Sequence, residues 1–399
     1  MNIVFITDHP VPSGMAPSNR LLALATGINE MKNEVNILII NPTEKTGFVI
    51  NKKTEGTYKG VHYNYLSRST VIPTNFFKKI LIFFTGLLHL YPELMRISMF
   101  SKIDAIIMLH TWSIYPLLLY PFVKKRKIVY LHERNEYPFL LRKKNIIRKI
   151  DYLVYKKVIL KLFDGMIVIT ENLKNYYSTF VSRKARSIVI PITVESDRFS
   201  KNKKDEHKYI AYCGYLGGNK DGVYNLIESF AKICQEFNEY KLVLIGDSKN
   251  KNEIAYLHGL TEKLGIKEKV IFTGKIKRDD IPPLLDKAEV LALARPDTIQ
   301  SKGGFPTKLG EYLSTGNPVV VTKVGDIPYY LKDGVNAYLA DPDDNDNFAL
   351  KLKAAIENKE QSSLIGQKGK ELANNVFSCR VQGYKITAFI EQLKKECFL

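Results

Sequence analysis

The chain has 399 residues, 45% of them hydrophobic, and a formal net charge of +18. That length suits two domains of ordinary size, and that apolar fraction excludes wholesale disorder. The charge is uneven: residues 1–200 hold 29 basic and 14 acidic side chains, a net +15, whereas residues 201–399 hold 30 and 27, a net +3. An excess confined to one half points to an anionic partner for that half, whether nucleic acid, a membrane surface or a phosphorylated ligand.

In chain order, short Val/Ile-rich strands are expected at 2–7, 35–40, 61–66, 103–109, 127–132, 165–170 and 187–191. The second half offers strands at 209–213, 241–245, 270–273, 290–294 and 318–322. Segments of helical period lie between most of them. This rhythm implies an α/β protein with two parallel sheets, each covered by helices on both faces. The polar stretch 197–207 divides a first domain, 1–200, from a second, 201–379. A last helix, 380–399, is placed to pack back onto the first domain. The N-terminus lacks a basic region and a cleavable apolar stretch, so no signal peptide is expected. The most apolar run, 80–90, is too short for a membrane span. The four cysteines form no C-x-x-C pair and fit a reducing compartment.

Open parallel sheets bind ligands beyond the carboxyl ends of their strands, so chemistry is sought in the loops that follow them. The first such loop, 8–18, carries three prolines and Gly14, and leads into a helix that Ser18 is expected to cap. His110 and His132 each end a strand of the first domain. After His132 come Glu133, Arg134, Asn135 and Glu136, a set suited to acid–base work or to sugar hydroxyls, or else a solvated turn. In the second domain, Gly214, Gly217, Gly218 and Gly222 surround Tyr215 and Lys220 directly after a strand. Glycines let backbone approach a ligand, and a lysine at a helix start suits phosphate. The alternative is a flexible surface loop. The strongest pattern runs from Arg295 through Gly303, Gly304, Phe305, Pro306, Thr307 and Lys308 to Glu311. A helix is expected from Pro306 or Thr307, with Lys308 and Glu311 three residues apart on one face. A lysine there opposes the helix dipole, which an anion at the same place would relieve. The bland reading is an exposed ion pair between the two.

The stretch 303–321, GGFPTKLGEYLSTGNPVVV, resembles the C-terminal signature of family-4 retaining glycosyltransferases, in the form found in bacterial polysaccharide clusters. FDGMIVITE at 163–171, IPITVESDRF at 190–199 and DGVNAYLAD at 333–341 extend the resemblance over nearly the whole chain. It implies the GT-B fold, two Rossmann-like domains facing across a cleft. It also implies sugar transfer from a nucleotide-sugar, bound mainly by the second domain, to an acceptor on the first. Carried over by position, Glu311 holds the ribose. Gly303, Gly304, Phe305, Pro306 and Thr307 meet the donor sugar or diphosphate, and Lys220 neutralises the diphosphate. His132 lies near the reaction centre, while His110 and Gly14 match weaker first-domain positions. Gly214, Tyr215 and Arg295 are expected beside the donor, and Glu133, Arg134 and Glu136 on the acceptor side.

Two departures matter. The family often has Glu where this chain has Gly303, and often has Arg where it has Tyr215. Lys308, or else Arg295, is expected to replace that missing cation, which makes His132, Lys220 and Lys308 the candidate catalytic groups. Asp341 and Asp343 have the spacing of a metal-binding pair but read as a turn, and no metal cofactor is expected. Basic tracts at 124–127 and 142–161, with the apolar segment 75–100, suit attachment to an anionic inner leaflet in the cytoplasm, where a lipid-linked acceptor would lie. The alternatives are a GT-B enzyme of small-metabolite or nucleotide-sugar metabolism, and a non-catalytic sugar-nucleotide-binding protein. A nucleic-acid-binding protein has only the charge in its favour.

Overall fold

The structure, a computed structural model, describes residues 1–109, 113–138, 146–199 and 208–398. It divides into two compact units, Met1–Thr193 with Cys379–Leu399, and Val194–Ser378. The division falls ahead of the charged stretch 197–207, not within it. The Val194 N–H donates to the Phe377 carbonyl at 2.9 Å, which ties this piece of chain to the second unit.

The first unit carries β1 (Asn2–Thr7), β2 (Glu34–Ile39), β3 (Glu44–Lys45), β4 (Glu55–Tyr58), β5 (Val61–Tyr65), β6 (Val71–Ile72), β7 (Ile103–Met108), β8 (Val129–Arg134), β9 (Gly165–Val168) and β10 (Arg186–Val189). Eight form one sheet in the order β10-β9-β8-β7-β1-β2-β5-β4, while β3 and β6 pair separately. The sheet is parallel except where β4 meets β5. β1 is buried at every position, as a strand covered on both faces must be. Ile3, Phe5, Ile37 and Ile107 pack with Leu21 and Leu24 of helix Ala16–Asn29 and with Ile386 and Ile390 of helix Cys379–Phe398. Those two helices touch backbone to backbone. A Cβ on Gly27 would lie 1.8 Å from the Cys379 carbonyl oxygen, and one on Gly383 would lie 2.2 Å from the Gly27 carbonyl carbon.

Helix Phe76–Phe100 corrects one expectation. The apolar run does not stop at residue 90, and the 25-residue helix is long and apolar enough to cross a membrane by length and composition alone. Here it lies on the unit through a narrow stripe, Gly86, Leu90, Leu94 and Ile97. The opposite side, Phe77, Leu81, Phe84, Leu88, Tyr91, Met95 and Met99, is exposed. These residues recur every three or four positions, which makes one continuous face.

The second unit carries β11 (Tyr209–Cys213), β12 (Lys241–Ile245), β13 (Val270–Gly274), β14 (Val290–Leu293), β15 (Val319–Thr322) and β16 (Tyr338–Ala340). All are parallel, in the order β13-β12-β11-β14-β15-β16. Each sheet reverses its direction of growth once: at β1, between β2 and β7, and at β11, between β12 and β14. Loops on the two sides of such a reversal part to leave a crevice, where open α/β sheets take their ligands.

Candidate active site

In the second unit the crevice is formed by the loop after β11 and the segment after β14. The two come into close contact. Gly222 ends the first loop with φ +68°, and a Cβ there would sit 1.7 Å from the Ala294 carbonyl oxygen. Only glycine meets both demands. Helix Thr307–Thr315 starts beside this loop, with Pro306 as its N-cap and no side-chain cap bond.

Lys308, in the first turn, is not paired with Glu311. Its Nζ lies 2.6 Å from Asp221 Oδ2, donates to the Tyr212 hydroxyl at 2.8 Å, and sits 4.3 Å from the Tyr212 ring centre. A Cβ on Gly214 would lie 2.1 Å from that Nζ, so the glycine makes room for the lysine. Arg295 is buried and lies 3.6 Å from Asp221 Oδ1. It donates to the Lys220 carbonyl at 3.4 Å and to the Gly304 carbonyl at 3.5 Å, joining the two sides of the crevice. Burial pushes the Asp221 carboxyl up, but Lys308 and Arg295 overcome this and hold it at about 2. Lys220 stands exposed at the rim. Tyr215 is exposed, and its hydroxyl accepts from Ser248 Oγ at 3.0 Å. Glu253 accepts from the Gly218 N–H at 3.0 Å, which anchors the loop.

Glu311, one turn after Lys308, is bound to Arg198 at 3.2 Å. Burial pushes its carboxyl up, against Arg198, Arg278 and Lys308. Gly303 ends helix Ile299–Gly303, and the Gly304 N–H donates to the Gln300 carbonyl. Thr307 is half-buried at the helix start. Phe305 corrects an expectation: it is buried, with ring centres 5.5 Å from Tyr330 and 5.9 Å from Phe377, and so anchors the loop from beneath. Asp341 pairs with Lys323 at 2.8 Å, and Asp343 accepts from the Asp297 N–H at 2.9 Å. Among the described residues no group of three or more His, Cys, Asp or Glu is placed to hold a metal ion.

In the first unit the placements differ more from expectation. β8 runs two residues past His132 and is buried at every position, so both faces of the strand are covered and that ring is interior. His132 is 3% exposed, stacked on Phe163 at 4.6 Å and 9°. Its Nδ1 donates to the Met108 carbonyl at 2.9 Å, and Nε2 accepts from the Tyr155 hydroxyl at 2.8 Å. This is the setting of a core histidine, not of a proton carrier facing substrate. Glu133 is also interior: Oε1 accepts from Arg20 Nε at 2.6 Å, while Arg20 donates to the Pro191 and Ile190 carbonyls at 2.6 and 2.7 Å. Arg134 is buried, with Nε donating to the Tyr177 hydroxyl at 3.2 Å. Glu136 is half-buried, and its carbonyl accepts from the same hydroxyl. These two acidic and basic side chains, Glu133 and Arg134, therefore serve packing, not an open acceptor face.

His110 lies outside the described residues. Gly14 lets its loop close on the first helix, since a Cβ there would meet Ser18 Oγ at 2.1 Å. Ser18 is not the cap; helix Ala16–Asn29 starts after Met15 with no side-chain cap bond.

Several groups went unmarked in the sequence. Asp8 and His9 follow β1 directly, at the crevice. Burial raises the Asp8 carboxyl to about 6, although Asn41 donates to it at 2.8 Å. Burial lowers His9; Glu133 opposes this and Arg134 adds to it. Their position after the first strand is the signal that marks them. Asp221 adjoins Lys220 in the loop and carried the same signal. Arg20, Arg198 and Tyr212 become evident only through their partners.

Residues 193–372 match the family model "Glycosyl transferases group 1". Over 149 residues the chain is 28% identical to N-acetyl-alpha-D-glucosaminyl L-malate synthase of Bacillus anthracis, covering 37% of this chain and 36% of that protein. The chain thus spans about a third of that relative in the matched region. The structure resembles sucrose-phosphate synthase from Thermosynechococcus elongatus, with TM-score 0.74, 15% identity and 98% of each chain covered. It also resembles Anabaena Alr3699/HepE in complex with UDP, with TM-score 0.68, 15% identity, and 98% and 100% covered. The fold is therefore the α/β GT-B fold with Rossmann-like parallel-sheet units, and the match to the group 1 glycosyltransferase model falls almost wholly on the second unit.

Proposed function

We propose that the protein is a retaining glycosyltransferase that moves a sugar from a nucleotide-sugar to a glycan or lipid-linked acceptor in cell-surface polysaccharide synthesis. The observation that carries this reading is the cluster of Lys308, Arg295 and Lys220 around a glycine-opened loop and a helix start, at the crevice of the second unit. Negative charge grows on the diphosphate as its bond to the sugar breaks. Cations and backbone N–H groups already in place stabilise it without reorganising. Lys308 and Arg295 are held for that task by Asp221, and Lys220 at the rim closes over the phosphates. Together these cations supply the charge that a metal would otherwise provide. Glu311 takes the ribose hydroxyls, and the backbone of Gly303 and Gly304 faces the sugar. UDP bound to a structural neighbour supports a nucleotide-sugar donor.

The acceptor reading rests on the surface of the first unit. The exposed stripe of helix Phe76–Phe100 carries no acidic side chain at Phe77, Leu81, Phe84, Leu88, Tyr91, Met95 or Met99. Arg126, in the basic tract 124–127, reaches Met95 Sδ at 2.8 Å, so positive charge borders the apolar face. An apolar stripe beside Lys and Arg suits the anionic inner face of the plasma membrane, approached from the cytoplasm. A small-molecule acceptor is the second reading, favoured by the relative named for a malate product.

The test is a thermal-shift screen of nucleotide sugars. A bound donor raises the melting temperature, by an amount that grows with its concentration over its Kd. The best donor should lose its shift in Glu311→Ala, and its transferred sugar should keep its anomeric configuration. No shift with any donor would overturn the reading.

A further inference from the structure

We infer that Arg198 positions Glu311 for the ribose of the donor, clamping one carboxylate oxygen and leaving the other for the diol; this rests on the reading of Glu311 proposed above. Arg198 ends the short turn Ser196–Arg198, near the start of the second unit. Its Nη1 donates to Glu311 Oε1 at 3.2 Å, and its Nη2 donates to the Arg278 carbonyl at 2.9 Å. One planar guanidinium thus links three separate segments: 196–198, the turn Arg278–Asp280 after β13, and helix Thr307–Thr315. Among the described residues no donor bonds Glu311 Oε2. Arginine suits the role because its fork is rigid and permanently charged, so it fixes direction as well as charge.

The surroundings give the arrangement its purpose. The two side chains are only 16% and 25% exposed. Several groups interact with Glu311 electrostatically. They are Arg198, Arg278 from its turn, Lys308 and Tyr312 from its own helix, and Cys213 from β11. Burial favours the protonated acid, and Arg198 leads the groups that oppose it. A carboxylate can accept from two hydroxyls at once, whereas a protonated acid turns one oxygen into a donor. Arg198 therefore protects the form that a diol needs.

The experiment is calorimetric titration of the full chain with uridine, guanosine and adenosine diphosphates, from acid to slightly alkaline pH. The wild type should bind one of them, more weakly as the medium becomes acidic. Arg198→Met should weaken binding about tenfold at neutral pH, the loss of one charged hydrogen bond. Its acid limb should also move to higher pH, so that affinity recovers in alkali. Arg198→Lys should restore the pH profile, and Glu311→Gln should remove the part of the acid limb that Arg198→Met moves, leaving that of the terminal phosphate, which takes up a proton near about pH 6. Circular dichroism checks that each variant is folded; if the Met variant is not, the comparison of Lys with wild type decides. If Glu311→Gln binds like wild type, the ribose reading falls and the inference falls with it. If Glu311→Gln weakens binding but the Arg198→Met profile runs parallel to wild type, the inference on Arg198 alone is refuted. A wild type that binds none of the three diphosphates overturns both.

Discussion

Asp221→Asn removes the carboxylate that Lys308 and Arg295 share, while keeping its shape. The ion pair with Lys308 is short, 2.6 Å, and both side chains are 14% exposed, so solvent screens it little. Its size can be worked from the acid. The carboxyl falls from 3.8 to about 2, held there by Lys308 and Arg295 against burial. At 1.36 kcal/mol per unit, that is about 2 kcal/mol of native-state stability. The sign follows from the direction. The folded value lies below the unfolded one, so the contribution is complete above about pH 4 and is lost as pH falls toward about 2. Urea unfolding at neutral pH should show the variant about 2 kcal/mol less stable, with the gap narrowing to about half near pH 3. Donor binding should refill part of the deficit, because phosphates replace the lost negative charge, so a saturating diphosphate should stabilise the variant more than the wild type. Equal stability at neutral pH would refute the reasoning. So would a gap that does not change with acid.

Glu133→Gln breaks the interior pair with Arg20 and leaves a buried guanidinium without its counter-charge, so it should cost about 3–5 kcal/mol in denaturant unfolding; a loss of activity at unchanged stability would instead make Glu133 a substrate-facing group. The wild type should sediment with anionic vesicles at low salt and release at high salt, whereas Leu81→Glu with Leu88→Glu should stay in solution. Wild type that ignores vesicles would remove the membrane reading. If it does so while the double variant turns a dimer into a monomer, the stripe faces a second copy.

The strands, and with them the sheets, were legible because buried parallel strands write themselves as runs of Val, Ile and Leu. β11 (Tyr209–Cys213) and β12 (Lys241–Ile245) have the bounds that the pattern predicts, and β8 ends two residues late. β4 and β16 were not legible, since Glu55–Tyr58 and Tyr338–Ala340 are too short to show a period. The crevice loop glycines were legible as well. Gly222 makes a backbone demand that no other residue meets, Gly214 leaves the space that the Lys308 side chain fills, and such demands leave a mark in sequence.

Partnership left no such mark. Lys308 and Glu311 share a helix face three residues apart, and sequence alone pairs them with each other. The structure pairs Lys308 with Asp221, 87 positions away, and Glu311 with Arg198, 113 positions away. His132 shows the same limit, because a histidine at a strand end looks like a reagent until Phe163, Tyr155 and Met108 close around it. The α/β rhythm, the loops that matter and the surplus of positive charge in the first half can all be read from the order of residues. Which charges meet cannot, because an ion pair is set by distances of a few ångströms between segments that the chain order keeps far apart, and folding alone brings them together. Folding also decides where the apolar residues of 76–100 point: Gly86, Leu90, Leu94 and Ile97 lie inward on the unit and ten large apolar side chains stand exposed, a division fixed by what the rest of the unit covers.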